Sequence, residues 1–379
     1  MKLGLHIVAT TWGGGPPRLG AKLTEIVEAA EEAGFDLISV VDHVWQHPLM
    51  GGVERSEIEA YTSLGFIAAH TRRVRLLSLA TAVPYRAAGL LAKIVTTLDV
   101  LSGGRAVLAI GAGDYPEEAR GLGLPFPSMA ERFDLLEETV QVCLRMWSGE
   151  MGDQQPFTGK HVRIGRALNL PQSLSRPHPP ILIAGSGERR TLPLVARYAD
   201  ACNIRPTPEI PRQLDLLRRL CAEAGRDYDA IEKTAPYLFD VGADGSKVAE
   251  LLGRLRWLSD MGIETVFGWV VGVDQIKPIE IMGREVIPAA AELVAAGTGP
   301  AAEREIQDAT HGKIGKTSVT TGAYLRRVGV TRRSTNHLDL FAVNSGRVLR
   351  QRLSGWSVHD GAVRPVGVRG RASWLTKSR

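Results

Sequence analysis

The chain has little cysteine and no metal-ligand spacing. Its three cysteines, Cys143, Cys202 and Cys221, lie far apart, form no CxxC pair and are odd in number. That usage excludes a disulfide framework and fits a reducing cytoplasm, the expected location. No HExxH stretch occurs and the nine histidines are scattered, so no metal site is expected. A GxSxG nucleophile elbow, a Walker loop and a GxGxxG after a strand are also missing. No run approaches the roughly 18 apolar residues of a spanning helix. The stretch Leu3–Ala9, interrupted by Gly4 and His6, reads as a strand rather than a secretory leader.

What is present suits a globular α/β protein. The 379 residues are 44% hydrophobic and 23% charged, enough to build a large core. The net charge of +5 is unevenly spread. Residues 297–379 hold 15 Lys and Arg against 5 Asp and Glu, which leaves the rest of the chain acidic.

Apolar runs alternate with helical periodicity through residue 295. Strands are expected at Lys2–Val8, Leu37–Val41, Val74–Ala80, Arg105–Ile110, Ile181–Ala184, Asp200–Ile204, Thr234–Val241 and Thr265–Val270. Their continuous apolar character is that of parallel strands covered on both faces. Helices are expected near 21–33, 57–69, 87–101, 129–147, 189–198, 208–224, 246–260 and 274–294. Eight such units in sequence predict a (β/α)₈ TIM barrel over residues 1–296. The fourth helix opens on a capping box, Ser128 to Glu131, and carries an apolar stripe of Met129, Phe133, Leu136, Val140, Cys143 and Trp147.

Two segments break the rhythm. The Pro/Gly-rich passage 149–180, inserted after the fourth helix, holds a candidate hairpin at 157–163 and has the length of a functional loop, often a lid. Residues 297–379 form a basic, Arg/Gly-rich appendage, expected to be loosely packed, with one candidate strand at 338–343. It lacks interleaved aromatics, which argues against nucleic acid as a partner.

In such a barrel the chemistry stands at the C-terminal strand ends. Strand two ends in Asp42-His43. An imidazole there can carry a proton near neutral pH, or it can be satisfied locally as a structural residue. Strand three ends near Ser78-Leu79-Ala80, strand four in Gly111-Ala-Gly113-Asp114, and strand six in Asn203. Gly111 and Gly113 either clear space for a flat ligand or make a turn. Gly185-Ser186-Gly187 after strand five suits a phosphate, or is a plain strand-to-helix turn.

Taken together, the motifs resemble a known family. The run Ala33-Gly-Phe-Asp-Leu-Ile-Ser-Val-Val-Asp42-His43 is similar to the second strand of luciferase-like oxidoreductases of the coenzyme F420 branch. So are Val83-Pro-Tyr-Arg86, Leu98-Asp-Val-Leu-Ser-Gly-Gly-Arg105, Ala109-Ile-Gly-Ala-Gly113, Gly121-Leu-Gly-Leu-Pro-Phe-Pro127, Phe157-Thr-Gly-Lys-His161 and Pro177-His-Pro-Pro-Ile-Leu-Ile-Ala-Gly-Ser-Gly187. The resemblance implies an F420-dependent oxidoreductase that exchanges a hydride between the deazaflavin ring and a small organic substrate. It places the ring near Asp42, Ser78, Leu79, Ala80, Gly111, Gly113 and Asn203, and the phosphate at Gly185, Ser186 and Gly187. It also implies a non-proline cis peptide at Leu79–Ala80 and a proton-transfer role for His43. Asp114 stands where many relatives have Trp and is a second acid/base candidate. An FMN-dependent monooxygenase is the alternative cofactor reading. A non-catalytic ligand-binding barrel is the third, and Asp42-His43 argues against it. A homodimer is admitted, and a membrane partner is not.

Overall fold

A computed structural model of the chain describes residues 1–294 and, beyond them, only six strands between Gly329 and Leu375. The chain divides into two compact units, Met1–Ile306 and Gln307–Arg379. The expected boundary at 296/297 lies outside the described residues.

In the first unit β1 (Lys2–Ile7), α1 (Pro16–Ala33), β2 (Leu37–Val40), α2 (Ala60–His70), β3 (Arg75–Ser78), β4 (Thr81–Ala82) and α3 (Ala88–Ser102) come first. They are followed by β5 (Leu108–Gly111), a short α4 (Pro116–Gly121), α5 (Met129–Met146), the small strands β6 (Phe157–Thr158) and β7 (Arg163–Ile164), and β8 (Ile181–Ala184). The series ends with α6 (Thr191–Tyr198), β9 (Ala201–Asn203), α7 (Ile210–Ala224), β10 (Glu232–Phe239), α8 (Val248–Asp260), β11 (Thr265–Val270), α9 (Lys277–Ile281) and α10 (Ile287–Ala291).

Nine parallel strands pair in the order β3-β2-β1-β11-β10-β9-β8-β5-β4. The ring closes where Leu76 bridges Ala106: the Leu76 amide donates to the Arg105 carbonyl at 2.8 Å, and the Val107 amide donates to Leu76 at 2.9 Å. Strands β3 and β4 are one barrel strand interrupted at Leu79–Ala80, and that peptide bond is cis. The count is therefore the expected eight. Alternate strand residues point inward or toward the helices. The inward set forms its own cluster of Leu37, Leu77, Val107, Ala109, Leu182, Ala201 and Phe267. The outward set, with Leu5, Leu76, Leu108 and Val266, packs under the helices.

Helix α1 starts five residues before the expected position because Pro16 and Pro17 occupy its first turn, where a missing amide costs nothing. The expected helix 274–294 is not continuous. A π-helical turn, Met282–Val286, separates α9 from α10, and Pro288 removes an amide from the ladder just beyond it. Helix α5 has its capping box, although Met129, placed in the apolar stripe, is 53% exposed at the first turn.

The 149–180 passage includes the expected hairpin, with β6 antiparallel to β7. Its tip is held by Glu138 of α5, whose carboxylate accepts from the amides of Lys160, His161 and Val162. Farther on, the Asn169 amide reaches Thr96, and Asp99 accepts from the amides of Leu174 and Ser175. Since Thr96 and Asp99 lie on α3, the passage is a strap bound along α3 and α5 rather than a lid. All three cysteines are buried and free.

In the second unit, strands Gly329–Ser334, His337–Asn344, Arg347–Ser354 and Ala372–Leu375 form an antiparallel sheet. Trp356–His359 pairs with Ala362–Pro365. The strand expected at 338–343 lies within the second of these.

Candidate active site

The strand ends of β2, β4 and β5 meet a residue that sequence reasoning missed. Glu118 sits on α4 with no solvent exposure. Its Oε1 accepts from the amides of Val44 and Trp45 at 2.5 and 2.7 Å, and its Oε2 accepts from the Tyr85 hydroxyl at 2.6 Å. The same Oε2 lies 3.3 Å from Nδ1 of His43. Burial alone would push this carboxyl up, but its donors outweigh that and hold it below the usual carboxylate range.

His43 is thereby turned so that Nε2 faces Asp114, 4.0 Å away and largely exposed. Its ring also meets His47 and Tyr115, with centroids 5.1 and 5.7 Å apart. Burial lowers the affinity of the imidazole for a proton, yet Glu118, Asp114 and Asp42 together raise it above the ordinary value. Nearby, burial pushes Glu57 up to about 7, while the Gln46 amide donates to it at 2.8 Å. His6, inside the barrel against Ser39 at 2.9 Å, is pushed by burial down to about 4.

Asp42 is placed differently from His43. Its carboxylate is 4% exposed and turned to the protein, accepting from the Ala82 amide at 2.8 Å and Arg86 at 2.7 Å. Arg86 continues to Glu59 at 2.7 Å and lies 4.8 Å above the Tyr61 ring. Burial raises the Asp42 carboxyl, and Arg86 opposes the rise. The side chain thus stitches β2 to β4 across the interruption.

Ala80, Gly111 and Ala184 converge. A Cβ on Gly111 would lie 3.7 Å from the Ala80 Cβ and 3.9 Å from the Ala184 Cβ, so three strand ends meet at residues without bulk. Leu79, Ala80 and Ala184 border the inward cluster and make a low, apolar floor. Gly113 does not belong to it. With φ +78° and a Cβ position against Phe126, Ala82 and Pro84, it serves the turn. Ser78 shares the outward parity of Leu76, and its Oγ is buried without a hydrogen-bond partner.

Gly185 has φ +126° and donates its amide to the Asn203 carbonyl at 3.0 Å. Ser186 Oγ accepts from the Arg205 amide at 2.9 Å, and the Thr191 and Leu192 amides fold back to the Gly187 carbonyl. Asn203 donates to Thr234 Oγ1 at 2.9 Å. A loop with two glycines ahead of a helix start lets an anion approach the backbone closely. Arg190 reaches Asp134, which also holds Lys160 of the hairpin at 2.9 Å.

Among the described residues no cluster of His, Cys, Asp or Glu could hold a metal ion, and no helix is long and apolar enough to cross a membrane.

The chain matches a family model described as luciferase-like monooxygenase over residues 1–321. It is 32% identical over 221 residues to an F420-dependent glucose-6-phosphate dehydrogenase of Nakamurella multipartita. That match covers 56% of this chain and 61% of the relative, so the chain spans less than two thirds of its length. Among solved structures it is similar to a monooxygenase, RslO1, from Streptomyces bottropensis (TM-score 0.61, 21% identity, 76% of this chain and 99% of that one). It is also similar to an F420-dependent secondary alcohol dehydrogenase in complex with an F420–acetone adduct (TM-score 0.64, 18% identity, 76% and 98%).

Proposed function

The chain belongs to the luciferase-like monooxygenase family, and from that premise we propose that it is an F420-dependent oxidoreductase acting on a small alcohol or the corresponding carbonyl compound. The observation that carries the reading is the imidazole of His43, held by Glu118 at the end of β2 in a barrel whose strand ends also form a floor of Ala80, Gly111 and Ala184. Such a floor fits a flat ring, and the Gly185–Gly187 loop fits the phosphate at the end of that ring's side chain. The choice of F420 over FMN is supported by relatives named F420-dependent dehydrogenases.

Bound there, the deazaflavin would supply the hydride acceptor or donor. The protein's share is position, a dry floor and a proton. Ala80, Gly111 and Ala184 themselves carry no side chain larger than a methyl group. His43 takes the hydroxyl proton at Nε2 in the oxidising direction or returns it in the reducing one. Asp114, 4.0 Å from Nε2 and exposed, passes the proton to solvent. Asp42 acts at one remove by holding β4, and with it Ala80, in place.

Titration of the purified full chain with oxidised F420 and with FMN, followed by ligand fluorescence, tests the reading. Micromolar or tighter F420 binding and weaker FMN binding are expected. Equal or tighter FMN binding would favour the monooxygenase alternative.

A further inference from the structure

We infer that Glu118 is the positioning residue of His43, fixing which imidazole nitrogen carries the resting proton. The inference rests on the reading of His43 as the proton carrier and specifies how it is held in that role.

The argument starts from donor counting. The Val44 and Trp45 amides and the Tyr85 hydroxyl all point hydrogens at Glu118. Backbone amides can only donate. A carboxylate so surrounded stays ionised and has no proton to give. The remaining neighbour, Nδ1 of His43 at 3.3 Å, must therefore donate as well. In neutral His43 the proton is on Nδ1 and the lone pair is on Nε2, the nitrogen on the Asp114 side. An acid that orients a base in this way sets its tautomer and stabilises its charged form.

Anchoring the loop after β2 would need only Oε1, which takes both amides. The second oxygen serves Tyr85 and His43. The pairing also survives comparison with every other group facing the imidazole. Asp42 from the end of β2 is turned to Arg86, and Glu57 from the loop is bonded to Gln46. His47 and Tyr115 make ring contacts, His6 from β1 is bonded to Ser39, and Asp114 stands at 4.0 Å from the opposite nitrogen. Glu118 alone lies within hydrogen-bond distance of Nδ1 among the described residues.

The test reads His43 directly. Long-range ¹⁵N–¹H spectra of ¹⁵N-histidine-labelled full chain, without cofactor, are followed from pH 5 to 9, with His43→Gln assigning the signal. The expected neutral form carries its proton on Nδ1. In Glu118→Gln the His43 midpoint should fall by about one pH unit, the scale of losing an opposite charge at this range. In Tyr85→Phe, which removes a competing donor from Oε2 and leaves the amide anchors, the midpoint should rise. The low-pH limb of kcat should move with the midpoint in both variants. If Glu118→Gln does not fold, Tyr85→Phe and the wild-type tautomer still decide. A wild-type Nε2–H tautomer, or a midpoint unmoved in every variant that folds, overturns the inference. Because the spectra need no cofactor, failure to bind F420 would refute the functional reading, while the spectra separately decide whether Glu118 fixes the resting proton of His43.

Discussion

Replacing Arg86 by methionine isolates the buried pair at the base of the site. Methionine keeps much of the stem volume over Tyr61 and removes the guanidinium that faces Asp42 at 2.7 Å. The two side chains are 13% and 4% exposed, so solvent screens the pair little. Leaving one charge of a buried pair uncompensated costs about 3–5 kcal/mol. The arm to Glu59 adds little, because that carboxylate is 41% exposed. At about 1.6 °C per kcal/mol for a unit of some 300 residues, the thermal midpoint should drop by about 5 °C or more. Asp42→Asn in the Arg86→Met background removes the stranded charge while an amide oxygen still accepts from Ala82, so it should recover at least half of the loss. The sign with pH is also set. Burial raises the Asp42 carboxyl in the folded state, and losing Arg86 raises it further. A raised carboxyl contributes stability below its unfolded value and loses it as pH rises through the folded value, so the deficit should be larger at pH 8 than at pH 5. The assay is the thermal midpoint by tryptophan fluorescence at one scan rate. An Arg86→Met midpoint within about 1 °C of wild type (against the about 5 °C expected), or strictly additive losses in the double variant, would refute the reasoning.

His43→Ala should lower single-turnover rate by about 10²–10⁴ while F420 affinity stays within a few-fold, because the imidazole moves a proton and the floor and glycine loop bind the ligand; near-wild-type rates across pH 6–8 would pass the role to Asp114 or water. His6 is buried neutral with its proton affinity pushed down to about 4, so its contribution to stability is full above about 6.5 and lost as pH falls toward 4. His6→Gln should flatten the acid limb of a thermal-midpoint profile over that interval, and an unchanged limb would assign acid sensitivity to other groups.

The barrel was legible because each strand is a short apolar run and each major helix has its own period or cap. Those signals are local, and so were the errors. Pro16 and Pro17 open α1 ahead of the residues whose period marked it, and in the π-helical turn Gly283 approaches Ala33 so closely that an added Cβ would lie 2.8 Å away. Asp42, His43 and the Gly185 loop are candidates that the sequence offers because a strand end announces them. Glu118 could not. It lies 75 residues from His43 on a six-residue helix too short to show a period, and only the closed barrel brings the two together. Ser78 was assigned by position at a strand end, whereas parity decides which way a side chain points, and Leu76 and Leu77 are equally apolar.

The way the loop after β2 is moored has a consequence for redesign. Val44 and Trp45 are held through their amides by Glu118, and Gln46 bonds the Val8 carbonyl. At the far end, the Ser56 amide donates to Thr11 Oγ1 and its carbonyl accepts from Thr10. The moorings use backbone groups of the loop and side chains from outside it, apart from Gln46. Past His47, whose ring packs on His43, the residues from Pro48 to Arg55, including the exposed Leu49 and Val53, form a replaceable cassette between two fixed clamps. A graft that keeps His47 and is cut before Pro48 and after Arg55 can change the exposed loop without shifting the imidazole, as a jig holds the tool while the workpiece is exchanged.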